Sequence, residues 1–175
     1  MRGSTNKGKI QNFMAVLGRM VAGEGTIYLT GGVTALLYGW RETTIDIDIK
    51  PDPEPAGLFE VLAEIKNKLD LNIEIASPDQ FIPAVEGWKE RSLFIKKCGK
   101  VQFFHYDPYG QVLSKLQRRH DRDLIDAKAF VDFKLVDKVL LKQFFKQIKP
   151  RLIRFPSIDS DVFSNSVIDF CERES

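Results

Sequence analysis

Thr26-Ile27-Tyr28-Leu29-Thr30-Gly31-Gly32-Val33-Thr34-Ala35-Leu36-Leu37-Tyr38-Gly39-Trp40-Arg41-Glu42-Thr43-Thr44-Ile45-Asp46-Ile47-Asp48-Ile49-Lys50 is the stretch from which the fold unrolls. Thr26 to Leu29 reads as a short buried strand, and Gly31-Gly32 breaks it. Val33 to Tyr38 is compact and apolar enough for a short helix, which Gly39 stops. Thr44 to Lys50 then alternates, with Ile45, Ile47 and Ile49 on one face and Thr44, Asp46 and Asp48 on the other. A period of two is that of a strand with one buried face.

On the N-terminal side, Ile10, Phe13, Met14, Leu17 and Val21 recur at helical spacing, and Gly23 and Gly25 end that run. On the other side, Pro51, Pro53 and Pro55 mark a loop. Residues 58, 59, 61, 62, 65 and 69 then give the apolar stripe of a helix over 58–69. Leu71 to Ile75 is a third alternating strand, with Asn72 and Glu74 on its polar face. Ser77-Pro78-Asp79 opens a helical turn, and 83–87 is loop. The segments 92–97 and 101–106 form a hairpin turning at Gly99-Lys100. Helical patterns follow at 108–118, 121–133, 137–147 and 159–171.

This order predicts an α+β fold: a mixed sheet of about five strands, helices on one side and a helical C-terminal part. The expected organisation is a flexible N-terminus over 1–9, a domain over 10–133 and a helical extension over 134–175 packed on the same domain.

Composition narrows the function. Of 175 residues, 43% are hydrophobic and 29% charged, which suits a packed core rather than disorder. Twenty-six Lys and Arg against 24 Asp and Glu leave a net charge of +2, so any basic surface must be local. Cys98 and Cys171 lie far apart without CxxC spacing, which excludes a disulfide framework and a zinc site. With His105 and His120 as the only histidines, a His-based metal centre or a Ser-His triad is poorly supplied. No apolar run approaches the ~20 residues of a membrane span. The first residues are polar and basic rather than those of a secretory signal, so a cytoplasmic location without a membrane partner is expected.

Three features carry chemistry. Gly31-Gly32, between strand and helix, either offers backbone N–H groups to a phosphate or makes a tight turn and nothing more. Asp46 and Asp48, at i and i+2, project from one face roughly 7 Å apart. Their mutual repulsion is relieved either by solvent or by a hard divalent cation. Glu74 completes a three-carboxylate cluster if its strand lies beside Thr44–Lys50.

Gly31-Gly32, thirteen further residues and Asp46-Ile47-Asp48 together resemble the core of nucleotidyltransferases of the DNA polymerase beta superfamily. The closer likeness is to small bacterial domains allied to AbiEii-type toxin nucleotidyltransferases. It continues through Asn72-Ile73-Glu74, His105-Tyr106-Asp107, Lys115 and Arg122-Asp123-Leu124-Ile125-Asp126, and it covers about residues 27 to 130. The chain departs from the commoner pattern in having Gly-Gly for Gly-Ser and Glu74 for an aspartate.

The resemblance implies the nucleotidyltransferase topology and a Mg²⁺- or Mn²⁺-dependent reaction. A nucleoside monophosphate would pass from a nucleoside triphosphate to a hydroxyl of RNA or protein. Asp46, Asp48 and Glu74 would be the catalytic metal ligands; Gly31, Gly32, Thr34, Arg41 and Lys115 would bind the nucleotide. Asp123 would orient Lys115 or Arg118 from behind. A toxin–antitoxin or defence role, with a cognate antitoxin as partner, is implied too. Thr34 reads equally as a buried helix threonine, Lys115 as a solvated helix lysine, and Arg41 as a partner of Glu42 or of the carboxylates.

Two basic runs stay open. Lys115, Arg118, Arg119, His120 and Arg122 either steer an acceptor or form a charged helix turn. Lys142, Lys146, Lys149, Arg151 and Arg154, with Phe144, Phe145 and Phe155 among them, either bind single-stranded nucleic acid or place their aromatics in a core or oligomer contact. Beside the enzyme stand two alternatives: a module of the same fold that binds a nucleotide or partner without catalysis, and an oligomeric scaffold with a solvated acidic face.

Overall fold

The computed structural model describes residues 2–174 and forms two compact units. The first comprises the chain up to Ser77 together with Ser92–Tyr106; the second comprises Pro78–Arg91 and the chain from Asp107 onward. The division departs from the expected boundary at 133/134: the chain crosses at 77/78, 91/92 and 106/107 instead. Only the hairpin, whose two strands pair with each other and with the sheet, returns to the first unit.

In the first unit, α1 (Lys7–Met20) leads into β1 (Gly25–Thr30), α2 (Gly32–Tyr38), β2 (Asp46–Pro51), α3 (Leu58–Lys68) and β3 (Asn72–Ile75). The hairpin strands β4 (Leu93–Cys98) and β5 (Val101–His105) complete it. The sheet is mixed and five-stranded, in the order β3-β2-β1-β5-β4. β1 is antiparallel to β2 and parallel to β5, β2 is parallel to β3, and β4 is antiparallel to β5. This is the expected α+β architecture.

The alternation of the strands sets their two faces. Ile27 and Leu29 of β1, Ile47 and Ile49 of β2, Ile73 of β3, and Val101 and Phe103 of β5 bury one face. Ile10, Phe13, Met14 and Leu17 of α1, Val33 and Leu36 of α2, and Leu58, Leu62 and Ile65 of α3 cover it. Removing these apolar side chains from water supplies most of the drive to fold, at about 25 cal/mol per Å². The opposite face carries Asp46, Asp48, Lys50, Tyr28, Thr30, Asn72, Glu74, Gln102 and Phe104, as the registers require.

Two local expectations are corrected. Ile45 does not join the buried face: β2 begins at Asp46, and Ile45 is 55% exposed. Over 2–9 the chain is not a free tail. Thr5 pairs with Thr44 in an isolated bridge, Arg2 donates to the Leu71 carbonyl at 2.7 Å, and the Asn6 side chain caps α1 by accepting from Lys9 N–H.

In the second unit, a 3₁₀ turn (Pro78–Gln80) and α4 (Trp88–Arg91) precede four longer helices. These are α5 (Pro108–Arg118), α6 (Asp121–Asp132), α7 (Lys138–Ile148) and α8 (Ser160–Glu172), with a 3₁₀ stretch (Lys149–Arg154) between the last two. Asp107, Asp137 and Asp159 cap α5, α7 and α8 with their side chains, satisfying N–H groups that a helix start leaves unpaired. Asp107 is fully buried and takes both Nε (3.1 Å) and Nη2 (2.8 Å) of Arg91. Phe145 packs edge-on against Phe163, and Phe144 against Tyr109 and the Arg91 guanidinium. Of the aromatics in the second basic run, Phe145 is buried and Phe144 half-buried against this unit's own residues.

Candidate active site

β1 delivers the chain to Gly31, whose φ of +67° and ψ of −132° suit glycine alone. A Cβ there would stand 3.0 Å from Oδ2 of Asp48. A Cβ on Gly32 would collide with the Thr44 hydroxyl and stand 3.0 Å from Nη1 of Arg41. The two glycines thus let the main chain pass between the Asp48 carboxylate and the Arg41 guanidinium. A side chain at either position would fill that space. Gly31, Gly32, Arg41 and Asp48, named separately from the sequence, come together at one turn.

The carboxylates share a face. Asp46 and Asp48 are half-buried beside each other on β2, with Ile47 and Ile49 turned to the core. β3 lies parallel alongside, so Asp48 faces Glu74 and Asp46 faces Asn72 in register. Asn72 donates its amide to Oδ1 of Asp46 and stands 3.5 Å from Oε1 of Glu74, the limit of a hydrogen bond. Glu74 itself is exposed. Among the described residues, no three His, Cys, Asp or Glu side chains are gathered as a metal-holding group.

The donor chemistry still fits Mg²⁺ or Mn²⁺. Hard cations take oxygen ligands, and Mg²⁺ is usually held by one or two carboxylates plus substrate phosphates rather than by an all-protein cage. Asp46 and Asp48 supply that pair.

Asn72 is the contributor the sequence reading passed over. The strand alternation already put it on the polar face two residues before Glu74, but its amide was not matched to Asp46. Thr44, a polar-face strand residue by the alternation, is the buried wall behind Gly32.

Thr34 takes the buried alternative. It is 1% exposed, and its hydroxyl lies 3.1 Å from Nδ1 of His105. His105 is buried too, with the Tyr38 ring 4.8 Å away, and burial lowers its pKa to about 4. The imidazole is therefore neutral at pH 7, and it ties β5 to α2 one turn beyond the glycines.

Lys115 lies in the second unit, on α5. It is not solvated: at 5% exposure its ammonium meets Asp126 at 3.0 Å and Asp123 at 3.5 Å. Asp123 also receives Arg118 at 2.8 Å, with His120 Nδ1 at 3.7 Å from its other oxygen. The Asp123 contacts read from the sequence are present, and Asp126 is the stronger partner of Lys115. In the basic run beside it, Arg118 and His120 both lie against Asp123 of the next helix, as the charged-turn alternative has it.

A family model described as a nucleotidyltransferase of unknown function (DUF6036) matches residues 12–167. The chain belongs to this family. The DUF6036 match runs from α1 into α8, through both units, so it includes the Gly31–Asp48 turn and the Lys115 cluster alike. Its description agrees with the resemblance at the level of nucleotidyltransferase. No curated protein and no solved structure matches the chain. No helix among the described residues is long and apolar enough to cross a membrane.

Proposed function

We propose that this DUF6036 protein transfers a nucleoside monophosphate from a nucleoside triphosphate to a hydroxyl of RNA or protein. The observation that carries the reading is the packing of the Gly31 main chain against Asp48, with Arg41 at the same turn. It sets phosphate-binding chemistry beside carboxylates that suit a divalent ion.

Asp46 and Asp48 would hold Mg²⁺ or Mn²⁺, with Glu74 as the third carboxylate. When bound, the ion supplies charge neutralisation at the phosphates and an acidified acceptor hydroxyl. The chain's own part is positional. Arg41 and the N–H groups of Gly31 and Gly32 hold the phosphates. Asn72 fixes the Asp46 carboxylate, and Glu74, exposed beside it, takes the proton from the acceptor hydroxyl. The hydroxyl oxygen bonds to the α-phosphorus, the bond to the β-phosphate breaks, and pyrophosphate leaves. Lys115 as a triphosphate cation now rests on the AbiEii-type resemblance alone, as do the toxin–antitoxin setting and a cognate antitoxin.

One observation favours the second reading, a nucleotide- or partner-binding module without catalysis. The Asn72 amide occupies an oxygen of Asp46 that a metal would want, and Glu74 is not drawn in to the pair. Incubation with each α-labelled triphosphate, Mg²⁺ or Mn²⁺, and total cell RNA and protein separates the two. Label on a macromolecule supports the enzyme; nucleotide binding without label supports the module.

A further inference from the structure

The face of the sheet that carries the aspartates changes character from one edge to the other. β3 and β2 present Asn72, Glu74, Asp46 and Asp48. One register step further along, a row crosses β2, β1, β5 and β4: Lys50 opposite Tyr28, Tyr28 opposite Phe104, and Phe104 opposite Phe94. The rings touch in sequence. Tyr28 and Phe104 have centroids 5.5 Å apart, tilted by 35°; Phe104 and Phe94 are 5.4 Å apart at 72°. Tyr28, in the middle of the row, is buried, whereas Phe94 is 60% exposed.

An aromatic so exposed on an edge strand is costly to leave in water and invites pairing with other chains. Two rings near a right angle also make a corner, in which a flat ring can lie on one face and meet the edge of the other. Phe104 lies roughly 12 Å from Asp48 by strand spacing and residue rise, within reach of one nucleotide whose phosphates sit at Asp48. Lys97, exposed and opposite Gln102 on the same face, adds positive charge beside the corner.

We infer that Phe94 and Phe104 form the base subsite, on which the base of the triphosphate stacks. The inference rests on the proposed nucleotide site and adds to it the place and chemistry of base recognition. Every base has a π-face, so stacking of this kind binds with little preference for base identity.

The test is titration of the full chain, with Mg²⁺ present, against ATP and against inorganic tripolyphosphate, which has no base. Wild type is expected to bind ATP more tightly. Phe94→Ala should weaken ATP about 5- to 100-fold, the range of one lost stack, and leave tripolyphosphate unchanged. Phe94→Trp should restore ATP affinity, whereas Phe94→Leu, apolar but without a π-face, should not. Equal loss of both ligands, or no loss of ATP, overturns the base subsite while leaving the nucleotide site standing. Binding of neither ligand by wild type overturns the nucleotide site, and this subsite with it.

Discussion

Two pairs of aspartates, close in sequence, meet opposite environments. Asp123 and Asp126, on α6, are 5% and 2% exposed and are matched by Lys115 and Arg118. Asp46 and Asp48, on β2, are half-buried on a sheet face, against an asparagine amide and a glycine main chain. A carboxylate taken fully out of water must be paired within the protein or lose its charge. One left partly in water on an open face can accept a ligand cation instead. The first pair therefore reads as structure and, on the proposed function, the second as site, although both lie within the residues that the family model matches.

The largest effect expected concerns the matched pair. Lys115→Ala takes the ammonium away from two buried carboxylates, of which Asp123 keeps Arg118, and removal of one partner from a buried ion pair costs about 3–5 kcal/mol. Urea unfolding followed by circular dichroism measures it. A loss under 1 kcal/mol would move Lys115 out of the structural class and revive its role at the triphosphate.

Next comes His105, a buried titratable group of the first unit. Its folded pKa of about 4 lies below the ordinary 6.5, so the unfolded chain binds the proton more readily. The stability it contributes is complete above pH 6.5 and is lost progressively as pH falls toward 4, by up to about 3 kcal/mol. His105→Gln, which keeps a hydrogen-bonding group for Thr34, should remove that part of the pH dependence. Parallel stability–pH curves for the two proteins would show that the imidazole is not desolvated as described.

The smallest effect separates two glycines of positive φ. Gly31→Ala and Gly39→Ala both strain the backbone, by about 1–3 kcal/mol each. Space around them differs: a Cβ on Gly31 meets Asp48, whereas a Cβ on Gly39 meets nothing within 4 Å. Only Gly31→Ala should weaken triphosphate binding in a calorimetric titration. Equal binding by both variants would detach the turn from the site.

Much of this was legible because the strands and helices obey their periods closely. The alternation of Ile47, Asp48 and Ile49 fixed which face Asp48 takes, and that of Asn72, Ile73 and Glu74 did the same for β3. What local pattern does not carry is partnership. Lys115 and Asp126 are on different helices, so nothing near either residue announces a buried pair. The split into units is invisible for the same reason. Residues 78–91 join the later helices through contacts such as Arg91 with Asp107 and Arg151 with the Ala84 carbonyl, while the hairpin that follows them returns to the first sheet. α4 is too short for its period to register. Ile45 misled because alternation continued one step past the true start of the strand.

The contrast between the two pairs comes down to one measurement: Asp48→Asn and Asp126→Asn, each carried through α-labelled nucleotide transfer and urea unfolding. Asp48→Asn should lose transfer on the order of 100-fold or more, the scale of several kcal/mol of transition-state stabilisation, with its unfolding midpoint nearly unchanged. Asp126→Asn should lower the midpoint markedly, and whatever protein remains folded should still transfer label. Wild-type transfer by Asp48→Asn, with Asp126→Asn stable but inactive, would contradict the account.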